Sequence, residues 1–172
     1  VGLRYFNVYG YRQSTKNLYT QIVPKWINAF VDGEDIEVYG DGSQTMDMIH
    51  GYDVGRLNVV AMEKPGIRRG VNLGCRAEDT FTEGDQIFDG FINIGTGLQT
   101  SVNDLYYIIE EELKNAGVDT TKSKRISIPH DPALVKKRQC DCTLMHKLLG
   151  KHEMDVEYGI RTTVRKILKG RK

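Results

Sequence analysis

Apolar and polar positions alternate along this chain with a period that changes repeatedly, and each change predicts an element. Leu3 to Tyr9 is a run of aromatic and β-branched residues closed by Gly10, which reads as a short strand. From Tyr19 to Val31 the apolar residues Ile22, Val23, Trp26, Ile27, Phe30 and Val31 recur every three or four positions. That spacing predicts an amphipathic helix stopped by Gly33, with Pro24 in its first turn, where a missing N–H costs little. Ile36 to Tyr39 predicts a second strand, closed by the turn Gly40-Asp41-Gly42-Ser43, and Thr45 to His50 a third. A helix is expected over Asp53 to Met62, with Val54, Leu57, Val60 and Ala61 inward, ended by Lys64-Pro65-Gly66. Arg68 to Gly90 is polar, glycine-containing and without a period. Phe91 to Ile94 is an apolar strand stopping at Gly95-Thr96-Gly97, and Ser101 with Asp104 three residues on has the form of a capping box. The helix it opens runs to about Asn115 and is ended by Gly117. Ile126 and Ile128 mark a strand before Pro129, and helical segments follow near Thr143 to Leu149 and Tyr158 to Leu168. Strands alternating with helices predict an α/β domain with a mainly parallel sheet.

Composition narrows the class. With 172 residues, against roughly 100–200 per domain, one domain is expected. Apolar residues make up 40% and charged residues 27%, ordinary for a globular chain and too apolar for a disordered one. The net charge of +1 excludes a broadly basic nucleic-acid surface, although a local patch survives such averaging. No apolar stretch approaches the roughly 20 residues of a bilayer span, so no membrane partner is expected. Three cysteines, an odd number, argue against a secreted disulfide scaffold and for a reducing, cytoplasmic setting. The chain opens at Val1 with no basic-then-apolar leader, so a piece of something longer or a trimmed chain is expected.

Candidate chemistry is sparse. Cys140-x-Cys142, with His130 and His146 nearby, has the residue types of a zinc site. The one-residue spacing is expected to keep the two sulfurs apart, which leaves two small apolar residues flanking an exposed Asp141 and no metal. Gly95-x-Gly97 ahead of a helix has the form of a phosphate cradle, but the third glycine of a dinucleotide fingerprint is replaced by Thr100, so a structural turn is expected. Val71-Asn72-Leu73-Gly74 echoes Ile92-Asn93-Ile94-Gly95 once, which excludes a periodic repeat architecture.

Motif text adds a different kind of information. Leu3-Arg4-Tyr5-Phe6-Asn7-Val8-Tyr9-Gly10, with Arg12-Gln13 after it, closely resembles the sixth strand of the NAD-dependent nucleotide-sugar epimerase/dehydratase family. These extended short-chain dehydrogenases include UDP-glucose 4-epimerase and dTDP-glucose dehydratase. The resemblance continues in order through Val23-Pro24-Lys25-Trp26-Ile27, Val38-Tyr39-Gly40-Asp41-Gly42-Ser43-Gln44-Thr45, Asp47, Asp53-Val54 and Asn93-Ile94-Gly95-Thr96-Gly97. It ends with Thr100-Ser101-Val102-Asn103-Asp104-Leu105, Asp141 and Leu148-Leu149-Gly150. It implies residues 1–172 as a single C-terminal, substrate-binding portion, with a partial Rossmann-type parallel sheet (its last strands), a small helical substrate-binding lobe and an insertion over 68–90. The family's G-x-x-G-x-x-G cofactor loop and its catalytic Tyr-x-x-x-Lys lie upstream of this strand, and neither occurs here. Without the tyrosine that moves the proton and the lysine that lowers its pKa, no catalytic residue is expected and the chain is not expected to turn over a sugar unaided.

By the same resemblance, Asn7 would donate toward the sugar-phosphate, Val38 and Tyr39 would flank a uracil or thymine base, and Tyr5 and Phe6 would lie near the nicotinamide of NAD, a cofactor not expected to bind this chain alone. Two positions depart from the family. Met46 stands where an arginine usually clamps the diphosphate, and Asp131 where a second is expected after Pro129. A neutral side chain and an anion in place of two cations weaken the grip on a diphosphate. Lys136, Lys137 and Arg138 are substitutes only from a shifted register. The reading is a nucleotide-sugar-binding module, truncated or degenerate, for a UDP- or dTDP-linked sugar. A fragment of an active enzyme and an interaction protein that lost its ligand are the alternatives. A homodimer through the exposed edge of the first strand is also expected.

Overall fold

The computed structural model describes residues 1–14, 22–64, 90–129 and 135–171. The start of the first predicted helix, all but the last residue of the insertion expected over 68–90, the glycine echo at 71–74, His130 and Asp131 lie outside these residues.

The opening run forms two short strands, β1 (Gly2–Tyr5) and β2 (Asn7–Tyr9). Next come α1 (Ile22–Asp32), β3 (Ile36–Tyr39), β4 (Thr45–Met46), β5 (Met48–His50) and α2 (Gly51–Glu63). Further along the chain lie β6 (Phe91–Ile94), β7 (Thr100–Ser101), α3 (Val102–Asn115), β8 (Arg125–Ile128), α4 (Thr143–Leu148) and α5 (Val156–Gly170). Three ladders are parallel: β1 with β6, β2 with β5 and β3 with β8. The short β4 runs antiparallel to β7. This is an α/β fold with Rossmann-type parallel pairing.

Two of the expected strands are broken where the backbone changes partner. The Phe6 N–H still donates to Ile94 O at 2.9 Å, whereas the Asn7 N–H donates to Asp47 O at 3.2 Å. The chain thus leaves β6 and joins β5 within one residue. The expected strand Thr45–His50 breaks at Asp47, whose side chain is drawn into the turn after β6. Among the described residues, the edge of β1 away from β6 carries no ladder.

The two-residue alternation of β2 and β5 divides their side chains between two cores. Tyr9 and Met48 enter a first core with Trp26, Phe30, Leu105, Tyr106, Ile109 and Ile160, built by α1, α3 and α5. Ile49 enters a second with Leu57, Ile92, Ile94, Cys140, Cys142 and Met145, with Val8 packed against it. Helix α5 approaches β2 so closely that a Cβ on Gly159 would lie 2.0 Å from the Tyr9 hydroxyl, so only glycine fits there. The Ser101 hydroxyl oxygen accepts from the Asp104 N–H at 3.0 Å, and the Asp104 carboxylate accepts from the Ser101 N–H at 3.2 Å, completing the capping box. Helix α2 begins at Gly51, two residues earlier than expected, because His50 Nδ1 accepts from the Tyr52 N–H at 3.1 Å and caps it. No helix among the described residues is long and apolar enough to cross a membrane.

Candidate functional site

The switch from β1 to β2 places Asn7 at the centre of the parallel strands, against the break between β4 and β5. Its side-chain Nδ2 donates to Asp47 O at 3.0 Å, and among the described residues the second hydrogen of that amide has no partner. Asp47 itself is fully buried. Its Oδ1 accepts from the Thr96 N–H and the Thr96 hydroxyl, each at 2.7 Å, and its Oδ2 from the N–H groups of Gly97 at 2.8 Å and Cys140 at 3.1 Å. The Gly95-Thr96-Gly97 turn therefore spends on an internal carboxylate the N–H groups a phosphate cradle would need. It is the structural turn that the missing third glycine predicted, and it offers no seat for a dinucleotide phosphate.

A second part of the site is the tip of β3. Alternation along Ile36–Tyr39 sends Val38 into the first core, 1% exposed, and leaves the Tyr39 ring outward at 47%. Of the pair expected to flank a base, only Tyr39 presents its side chain. The turn beyond it is well braced. Gln44 Nε2 donates to Tyr39 O at 3.0 Å, the Ser127 hydroxyl to Gly40 O at 2.5 Å, and the Ser43 N–H to the Asp41 carboxylate at 2.9 Å. The hydrogen bonds from Ser43 hold the Asp41 carboxyl below its usual range, with a smaller pull from Lys136. The Arg125 guanidinium bonds Asn103 Oδ1 and lies 5.3 Å from the centre of the Tyr106 ring.

Met46 packs against the first core and carries no charge to the surface. Beside it, a segment without any strand period forms a third rail. The Thr45 N–H donates to Lys136 O at 2.9 Å and the Arg138 N–H to Thr45 O at 3.1 Å, so Lys137 pairs in parallel with Thr45. Lys136, Lys137 and Arg138 are all exposed. Three cations thus lie alongside the strand that holds Met46, and Lys136 is near enough to act on Asp41, two residues from Tyr39. Sequence reasoning weighed these cations only through a shifted register; polar residues with no apolar period gave no signal of the pairing.

The expected nicotinamide contacts divide. Tyr5 is exposed at the end of β1, with its hydroxyl donating to Asn58 Oδ1 at 2.9 Å, while Phe6 packs against the second core. Separately, a cavity of about 490 Å³ opens at the C-terminal ends of β2 and β5, with Tyr9, Tyr11, Arg12, His50, Tyr52 and Lys166 among its lining. Burial raises the Tyr9 hydroxyl pKa and lowers that of the His50 imidazole. The Cys140 and Cys142 sulfurs, expected to stay apart, instead converge with Asp47: one ligand atom from each lies within 4.8 Å of the others.

Residues 1–74 match the NAD dependent epimerase/dehydratase family. The UDP-N-acetyl-alpha-D-glucosaminuronate decarboxylase of Bacillus cytotoxicus is 29% identical over 125 residues, covering 72% of this chain and 39% of that protein. The UDP-glucose 4-epimerase of Thermotoga maritima, solved with UDP-glucose, shares the fold with a TM-score of 0.76 and 29% identity, over 99% of this chain and 46% of that one. The UDP-N-acetylglucosamine 4-epimerase of Methanobrevibacter ruminantium, in complex with UDP-N-acetylmuramic acid, gives 0.75 and 26% over the same shares. The chain spans less than half the length of the relatives it matches.

Proposed function

We propose that this chain, of the NAD-dependent epimerase/dehydratase family by its residues 1–74 and by its fold, is the substrate-gripping portion of a nucleotide-sugar protein and binds a UDP- or dTDP-linked sugar. One observation carries the reading: the exposed Tyr39 ring and the exposed cations of 136–138 are linked by the turn after β3, where Lys136 acts on Asp41, with Asn7 at the strand switch. A base stacks on the Tyr39 face, the diphosphate meets Lys136, Lys137 or Arg138, and the Asn7 amide donates its second hydrogen toward the sugar-phosphate. Charge-assisted bonds to phosphate are the strong ones, so the cations beside Met46 take over the role of the arginine it replaces. The relatives named for UDP-sugars support the ligand class. The turn at 95–97 is committed to Asp47 and is not used as a dinucleotide cradle in this reading. Pairing of a second copy along the open edge of β1 belongs to the same proposal.

Titration calorimetry with UDP and with uridine tests it. The triple variant Lys136→Ala, Lys137→Ala, Arg138→Ala is expected to weaken UDP at least tenfold and to leave uridine unchanged, whereas Tyr39→Ala weakens both. Each lost charge-assisted bond is worth about 1.5–3 kcal/mol, so a tenfold loss is the lower end. No saturable UDP binding by the full chain, or a triple variant that binds UDP as the parent does, overturns the assignment.

A further inference from the structure

We propose that Cys140, Cys142 and Asp47 form a site for a thiophilic divalent metal ion of the zinc and cadmium class, one that fastens two segments far apart in the sequence. The three residues are buried, at 5%, 5% and 0% exposure, and their ligand atoms lie within 4.8 Å of one another. The one-residue spacing that argued against a pair of ligands nonetheless brings the sulfurs together, because the backbone turns at Cys142 (φ −95°, ψ 6°). Cys142 then opens α4.

Space at the cluster comes from two glycines. A Cβ on Gly95 would lie 2.9 Å from Cys140 Sγ and 3.1 Å from Asp47 Oδ2, and one on Gly97 would lie 3.7 Å from Cys142 Sγ. The glycine pair that resembles a phosphate cradle thus leaves bare the place where sulfur and carboxylate meet.

Charge also fits. All partners of Asp47 are N–H or O–H donors and none is a cation, so its charge is buried without a counter-ion among the described residues. A divalent ion that displaces the two thiol protons to solvent adds two positive charges and two thiolate negatives. The site therefore stays at a net charge of minus one, and no extra charge is buried. Ligation by Asp47 exchanges one of its four hydrogen bonds for the metal. The cluster supplies three of the four donors that a tetrahedral structural site takes. Bound there, the ion would tie the 140–142 segment to the β4–β5 break.

Cadmium added to the reduced full chain is the direct test, read by thiolate-to-metal charge-transfer absorption and by released protons, with circular dichroism to verify the fold of each variant. One equivalent per chain and two protons per ion are expected. Cys75→Ser should leave the titration unchanged, while Cys140→Ser or Cys142→Ser should weaken it at least tenfold. Gly95→Ala keeps every thiol and should weaken it as well by filling the space. A folded parent chain with no saturable band overturns the proposal. So does a band that disappears in Cys75→Ser, or a thiol count in denaturant that finds Cys140 and Cys142 joined as a disulfide.

Discussion

Two carboxylates are buried to the same degree in this fold, and they are balanced in opposite ways. Asp53, on α2, accepts from the N–H groups of Glu153 at 2.8 Å and Met154 at 2.9 Å, and has a cation on its own helix, with Arg56 Nη2 at 3.3 Å. Arg56 is shared in turn with Glu153 at 3.1 Å. Asp47 has no such cation among the described residues and is held by uncharged donors from the 95–97 turn and the 140 segment. Asp53 lies in a local ion network at the edge of the fold, so it fastens a loop. Asp47 lies between strands and has only dipoles to stabilise it, so it fastens the sheet. A buried charge without a counter-ion is retained only when several well-placed donors replace its water.

The largest effect expected from this contrast is that of Asp47→Ala. It leaves the buried N–H groups of Thr96, Gly97 and Cys140 without their acceptor, and each unsatisfied buried donor costs about 1–3 kcal/mol. A loss on the order of 4 kcal/mol or more is a large part of the roughly 5–15 kcal/mol that holds a domain together. Urea denaturation should show a collapse of the midpoint or no cooperative transition. A shift below about 1 kcal/mol would mean that water replaces the carboxylate and that the dipoles around Asp47 are not structural.

Asp53→Ala should cost less, on the order of 1–2 kcal/mol, by the same measurement. The two N–H groups it releases belong to a loop near solvent, where Glu153 is exposed, and Arg56 keeps Glu153. Hydrogen exchange should quicken at residues 153 and 154 while the β2–β5 ladder stays protected. Loss of protection across that ladder would erase the distinction between a loop fastener and a sheet fastener.

Much of this architecture was legible in the amino-acid order, and the misses share a cause. Amphipathic periods marked α1, α3 and α5, and the Ser101–Asp104 spacing marked the cap of α3, because these signals are local. The breaks at Phe6 and Asp47 were not legible, since the apolar pattern continues unchanged while the backbone trades one partner for another. The start of α2 was missed because an imidazole, not a hydroxyl or carboxylate, accepts the capping bond. The 136–138 rail left no trace in a run of polar residues whose order comes entirely from pairing with Thr45. In the candidate site, the alternation of Ile36, Glu37, Val38 and Tyr39 already held the answer that Val38 faces inward; motif text placed both residues at the base and hid it.

The smallest effect, and the finest probe of the Asp53 side of the comparison, is the titration of His50. Burial is the largest influence on its imidazole and disfavours the charged form; Asp53 pulls the pKa back up and Lys166 pushes it down. Nδ1 accepts from the Tyr52 N–H, so the neutral ring carries its proton on Nε2, facing the Thr163 hydroxyl at 3.5 Å, with the Tyr9 ring edge-on at 5.3 Å between centroids. Protonating Nδ1 would also remove the cap of α2. With the folded-state value below the unfolded one, near 6.5, the native chain binds fewer protons than the unfolded chain as acid is added. The contribution of His50 to stability is therefore complete above about pH 6.5 and is lost as pH falls through the folded-state value. NMR of the imidazole ring protons should place the His50 midpoint below that of an unfolded histidine. Asp53→Asn, which removes the upward pull and keeps a hydrogen-bonding side chain, should move it lower still, and Lys166→Ala should move it higher. A His50 midpoint at or above the unfolded value, or one indifferent to Asp53→Asn, would show that the charge of Asp53 is spent entirely on Arg56 and does not reach the end of β5.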